Sequence, residues 1–146
     1  MAARTTEKTH EAGGCYCGAV RYAVTAPALV KGQCHCRACQ HIAGGGPQYF
    51  MLIPPDGFAW TKGQPARFAR ADLDQPVTRF FCAVCGTHMV TQRPDQAALV
   101  VKVGTLDDPS RFRPHVAICH GAAPAFHSVP PGIPVFEGLP VGREGR

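Results

Sequence analysis

From Val20 to Val24 the chain alternates apolar and less apolar residues, Val20, Tyr22 and Val24 against Arg21 and Ala23. That period of two predicts a half-buried strand, which Pro27 ends. A second strand over 29–33 leads the chain into Cys34. Residues 49–53 (Tyr-Phe-Met-Leu-Ile) form an unbroken apolar run, stopped by the turn sequence Pro54-Pro55-Asp56-Gly57. Shorter apolar stretches at 58–61, 66–70, 77–81, 88–91, 99–103 and 115–119 bring the expectation to about eight or nine strands separated by turns, an all-β pattern. Two helical turns are expected, one over 37–41 before Gly44-Gly45-Gly46, the other over 107–112, where Asp107, Asp108 and Pro109 suit a helix start. Residues 1–11 are polar and read as a flexible N-terminus. The segment after Pro124 reads as irregular, and 141–146 as a tail. The fold class expected is mainly β: one domain of short antiparallel strands over residues 12–140, with minor helical turns.

At 146 residues the chain suits one domain with a real core, and its 16 Gly and 14 Pro favour short strands and turns over long helices. Its eight cysteines change the picture more. The opening residues, Met-Ala-Ala-Arg-Thr-Thr-Glu-Lys-Thr-His-Glu-Ala-Gly-Gly, lack the apolar run of a secretory signal, and no stretch reaches the length of a membrane span. A reducing cytoplasm is therefore expected, where clustered thiols bind metal in preference to pairing. The formal charge of +5 falls to about +2 if two zinc ions are bound, because a zinc with four thiolates carries −2 and one with three carries −1. With its lysines and arginines interspersed, the sequence speaks against a nucleic-acid partner and suits a small anionic ligand.

Seven of the eight cysteines fall into three tight clusters: Cys15 and Cys17; Cys34, Cys36 and Cys39; Cys82 and Cys85. Thiols one or two residues apart can chelate a tetrahedral metal, and a structural zinc takes four ligands. The outer pairs together supply four. One ion shared by Cys15, Cys17, Cys82 and Cys85 would staple the first strand to the middle of the sheet and add folding energy outright. The alternative, redox chemistry at Cys82-x-x-Cys85, lacks the βαβ context that usually carries it.

The middle cluster offers three thiolates and leaves a fourth position to fill. His35, His41, His115, Cys119 and His120 could complete a second closed site. Otherwise the position is open to water or to a substrate thiol. Three thiolates make a metal better suited to hold a thiolate nucleophile than to generate hydroxide. Cys119 by itself reads as a buried core thiol, Trp60 and the phenylalanines as core, and His10 and His127 as surface or loop residues without a role. Gln48, Tyr49 and His41 are near enough in sequence to serve as proton donors.

The order of these segments resembles the family of glutathione-dependent formaldehyde-activating enzymes and their relatives around centromere protein V. The matching pieces are Gly13-Gly14-Cys15-Tyr16-Cys17-Gly18-Ala19-Val20-Arg21-Tyr22 and Cys34-His35-Cys36-Arg37-Ala38-Cys39. They continue with Phe81-Cys82-Ala83-Val84-Cys85-Gly86-Thr87-His88, Val103-Gly104-Thr105-Leu106-Asp107-Asp108-Pro109 and Glu137-Gly138-Leu139-Pro140. The resemblance implies a β-rich, tent-like zinc fold with two ions. One would be a structural zinc on Cys15, Cys17, Cys82 and Cys85, the other a catalytic zinc on Cys34, Cys36 and Cys39. It also implies a carbon–sulfur lyase or synthase adding the thiol of glutathione to formaldehyde. Many relatives carry a Lys-Ala-Pro-Trp run where this chain reads Cys119-His120-Gly121-Ala122-Ala123-Pro124-Ala125-Phe126, a departure that bears on the substrate. The partners expected are thus a glutathione-like thiol and a small aldehyde, with no membrane and with a homodimer left open. Two other classes compete: a non-catalytic carrier of glutathione or another thiol, and a zinc interaction module.

Overall fold

A computed structural model describes residues 10–140. Most of the flexible terminus expected at 1–11, and the tail expected at 141–146, lie outside them. Glu11 itself begins a strand. The described chain forms ten strands and one short α-helix: β1 (Glu11–Gly14), β2 (Arg21–Val24), β3 (Val30–Cys34), α1 (Arg37–Ala43), β4 (Gln48–Ile53), β5 (Phe58–Lys62), β6 (Ala66–Phe68), β7 (Thr78–Phe81), β8 (His88–Gln92), β9 (Leu99–Lys102) and β10 (Val116–Ile118). The mainly β expectation holds.

The strands make two sheets, one of three in the order β1-β2-β5 and one of seven in the order β10-β3-β4-β9-β8-β7-β6. All pairings are antiparallel except that of β10 with β3, which is parallel and corrects the uniformly antiparallel expectation. The alternation read at 20–24 appears as Tyr22 and Val24 buried and Arg21 and Ala23 half-buried. The unbroken apolar run becomes β4, a central strand between β3 and β9 with almost every side chain buried. A strand covered on both faces has no solvated side to mark with polar residues.

One core joins the two sheets. Val20, Tyr22 and Val24 come from the small sheet and its approach, and Met51, Ile53, Phe80, Val90 and Val101 from the large one. Tyr22 lies at the seam, stacked on Phe58 and edge-on to Trp60, with its hydroxyl 2.6 Å from the Thr105 hydroxyl. A side chain at Gly13 would collide with that tyrosine ring and with the Thr105 carbonyl. This close approach accounts for β1, a strand that the apolar pattern of the sequence did not signal. Arg21 closes the same corner with a bidentate pair to Asp107.

Two local expectations change. The segment 107–112 does not wind into a helix but closes a single turn, Phe112 N–H to Pro109 C=O at 3.1 Å. Phe68 and Phe126 are exposed rather than core. The irregular C-terminal segment is nonetheless anchored: Ala117 N–H donates to Pro134 C=O, Phe136 N–H to Ala117 C=O, and Cys119 N–H to Gly138 C=O, at 2.8–3.0 Å. Among the described residues no helix is long and apolar enough to cross a membrane.

Because Ile53 is fully buried in a core common to both sheets, Ile53→Ala is expected to cost about 2–5 kcal/mol. Urea denaturation should show one transition moved to lower urea. Two separate transitions would contradict a shared core.

Candidate metal centre

The structure brings seven cysteines into two groups. Cys15, Cys17, Cys82 and Cys85 form one, and Cys34, Cys36 and Cys39 the other; within each, all the sulfurs lie within 4.8 Å of one another. Each group could hold a metal ion.

The four-cysteine group is built by two loops far apart in sequence. Cys15 and Cys17 follow β1, Cys82 and Cys85 follow β7, and Cys17 meets Cys82 at 3.8 Å across 65 positions. Cys15 and Cys17 stand 3.7 Å apart. Two sulfurs on a tetrahedral zinc, each at about 2.3 Å, stand about 3.8 Å from one another, which these two separations match. Backbone amides point at the sulfurs: Val20 N–H to Cys15 Sγ at 3.2 Å, Val84 N–H to Cys82 Sγ at 3.3 Å, and Cys85 N–H to Cys82 Sγ at 3.4 Å. Such donors favour thiolate over thiol. The hydroxyl and then the N–H of Thr87 hold the Cys85 thiol down to about 5.

The three-cysteine group sits where a strand passes into a helix. Cys34 ends β3, Cys36 caps α1 by accepting the Cys39 N–H at 3.3 Å, and Cys39 lies in the first turn. Gly44, in the left-handed conformation at φ 81°, ends the helix where the glycine run predicted. The thiols titrate as a set. Cys36 is pulled down to about 2 by hydrogen bonds from the Cys34 and Cys39 thiols, whereas Cys34 is pushed up by its crowding against Cys119, Cys36 and Cys39.

None of the five residues considered for the fourth position joins this group. Cys119 is half-buried and near enough to Cys34 for the two thiols to shift each other's titration, which corrects its reading as a core thiol. Its backbone is left-handed at φ 55°, alone in this among the described residues other than glycine. His41 and His115 are exposed. His120 packs edge-on against His35, with ring centroids 4.9 Å apart.

His35 is fully buried, and both its ring nitrogens are occupied. Nε2 lies 3.0 Å from Gln33 Nε2, and Nδ1 lies 2.8 Å from His127 Nδ1. The proton positions follow from the chain ends. His127 Nε2–H must donate to the Gly45 carbonyl (2.7 Å), so His127 Nδ1 accepts. His35 Nδ1–H therefore donates, and His35 Nε2 accepts from Gln33, whose other N–H goes to the Ser128 carbonyl at 2.9 Å. Gln40 holds the same loop from the other side, donating to the His35 carbonyl at 2.8 Å and to the Ala122 carbonyl at 3.1 Å. His127 is thus a partner of the site's buried histidine, not an idle loop residue. Nothing local in the sequence signalled this, because the partners are 92 positions apart.

Of the proton-donor candidates, His41 turns outward beside Arg37, and Tyr49 lies half-exposed against Phe112 on the Gln33 side of the sheet. Gln48 stands opposite Cys34 in the β3–β4 pair, buried, with no hydrogen-bond partner for Oε1. Lys102, which the sequence reading passed over, is also buried. Burial pulls its ammonium down to about 8, while Cys39, Cys34 and Cys36 favour the charged form and Arg79 opposes it.

The sequence profile of the glutathione-dependent formaldehyde-activating enzymes matches residues 10–121. The chain is similar to a Halomonas elongata protein provisionally named a glutathione-dependent formaldehyde-activating enzyme. The two are 29% identical over 107 residues, which cover 70% of this chain and 68% of that one. In fold it is similar to the crystal structure of a Rhodobacter sphaeroides protein, with a TM-score of 0.55 at 18% identity over 85% of this chain and 98% of that one.

The histidine network fixes a tautomer that can be measured. Long-range 1H–15N correlation is expected to show His35 protonated at Nδ1 and His127 at Nε2. Removing the acceptor with His127→Ala should cost about 1–3 kcal/mol, as for any buried donor left unpaired. An Nε2–H tautomer at His35 would contradict the network.

Proposed function

This chain belongs to the glutathione-dependent formaldehyde-activating enzyme family, and from that premise we propose that it is a zinc-dependent carbon–sulfur lyase or synthase. It would add a glutathione-like thiol to a small aldehyde such as formaldehyde, giving the S-hydroxymethyl adduct, in a reducing cytoplasm. The observation that carries the reading is the asymmetry of the two cysteine groups, one with four sulfurs and one with three and no fourth protein ligand in the group. Closed sites are structural and open ones reactive.

In this reading Cys15, Cys17, Cys82 and Cys85 hold a structural ion that joins two distant loops, and Cys34, Cys36 and Cys39 hold the reactive one. Zinc in the second site would keep an incoming thiol as its thiolate, ready to attack an electrophilic carbonyl. The protein's part is to leave the fourth position free and to hold the three sulfurs still. His35, between two of the ligands in sequence, cannot close the site, since both its nitrogens are engaged elsewhere. Gln40 pins the His35 carbonyl, and the Cys39 N–H reaches Cys36 Sγ, so the loop is fixed from within. Bond formation joins the thiol sulfur to the aldehyde carbon, and the oxygen takes up the proton the thiol gave up.

Two variants separate the roles. Cys82→Ser is expected to unfold or aggregate, because it opens the quartet that closes the fold; a soluble, folded variant retaining both metals would refute that ligand set. Cys36→Ser should stay folded and keep one metal. Exchange NMR of glutathione and formaldehyde should show adduct formation at least about tenfold faster with wild type than without protein, and no acceleration with Cys36→Ser. Thiol binding without acceleration in the wild type would make the protein a thiol carrier instead.

A further inference from the structure

Lys102 ends β9 with 4% of its surface exposed. A buried ammonium is costly unless an anion answers it. The carboxylate ion pairs of the described residues engage Arg21, Arg70 and Arg93, and Lys102 belongs to none of them. The strand register shows what it faces. Lys102 stands opposite Phe50, Phe50 shares a face of β4 with Gln48, and Gln48 stands opposite Cys34. Helix α1, carrying Cys39 and capped by Cys36, packs against β4. The groups that favour the charged lysine are Cys39, Cys34 and Cys36, which would all be thiolates on a bound metal. Beside them the buried Gln48 Oε1 has no hydrogen-bond partner.

We propose that Lys102 is the countercharge of the Cys34/Cys36/Cys39 centre and the reason this site accepts an anionic fourth ligand. The inference rests on the metal-binding reading above and specifies its electrostatics. Three thiolates on a divalent ion already leave a net charge of −1, and a substrate thiolate brings it to −2 in a place where water screens poorly. One fixed positive charge returns the sum to −1. The four-cysteine group, with four sulfurs for one tetrahedral ion, leaves no position for a further ligand. Lys102 is a positioning residue in this account: it acts through the charge of the centre. Arg79, on β7, is a second cation whose field opposes the charged lysine.

The test uses full-length cobalt-substituted protein and two probes, glutathione, which binds as a thiolate, and imidazole, which binds neutral. In wild type, glutathione should produce a new sulfur-to-cobalt charge-transfer band. Lys102→Met should raise the glutathione concentration needed for half-saturation about tenfold to a hundredfold. It should leave imidazole binding within about threefold, and Lys102→Arg should restore the thiol affinity to a similar margin. Lys102→Gln provides the same comparison if the methionine variant does not fold. Equal glutathione affinity in wild type and the neutral variants would overturn the role of Lys102 while leaving the open site standing. An equal loss of both ligands would show a packing role only, and would also overturn it. No thiol band in wild type would overturn the open-site reading itself, and this inference with it.

Discussion

The contact between the knuckle after β1 and the knuckle after β7 is the constraint on which the rest depends. Cys17 and Cys82, 65 positions apart in sequence, meet at 3.8 Å, and the small sheet is held against the large one at this point. Closing so long a loop costs chain entropy, and few weak contacts accompany the sulfurs there. Tyr16, between the first two cysteines, and Val84, between the second two, are exposed at the tips of the knuckles. The apolar burial of these loops lies in their cysteines, Cys15 and Cys82, and not at their tips. Beneath them, the core around Tyr22 and the Arg21–Asp107 pair add further links.

The second group of sulfurs sits on regular, paired structure. Cys34 ends a strand that is paired on both sides, and Cys36 and Cys39 begin a helix laid over β4. Hydrogen bonds from Gln33, Gln40 and His127 brace the loop between them, so the geometry of the three thiols owes little to any flexible segment. A reactive site needs such support on all sides. In the proposed reading, the fourth position is left free by positive arrangement, the one histidine inside the motif being engaged by neighbours that turn it away.

Most strands and both cysteine groupings were legible in the sequence because each is a short-range signal. Alternation at 20–24 comes from one face meeting the core, and the C-x-C and C-x-x-C spacings follow from chelation by neighbouring residues. What was hidden depends on residues distant in sequence. β1 exists because Gly13 lets the backbone approach Tyr22 and Thr105, and the parallel pairing of β10 depends on a C-terminal segment without strand character. His127 looked like a loop residue because its partners are Gly45 and His35. Lys102 gave no signal inside the apolar stretch 99–103, and only the register across β4 places it on the face of Cys34. The family resemblance correctly identified the chain's relatives. The altered 119–126 segment runs beside the site: Cys119 lies near Cys34, His120 packs on His35, and Ala122 accepts from Gln40. That placement gives the departure from the usual run a physical route to substrate preference.

The central claim is one closed and one open sulfur-bound metal in the same chain. X-ray absorption at the metal edge of the purified protein tests it most directly, by counting sulfur neighbours with and without glutathione. The account predicts two ions sharing seven cysteine sulfurs, with one lighter ligand that is replaced by an eighth sulfur when glutathione is added. Two ions each with four sulfurs from the outset, unchanged by the thiol, would contradict it.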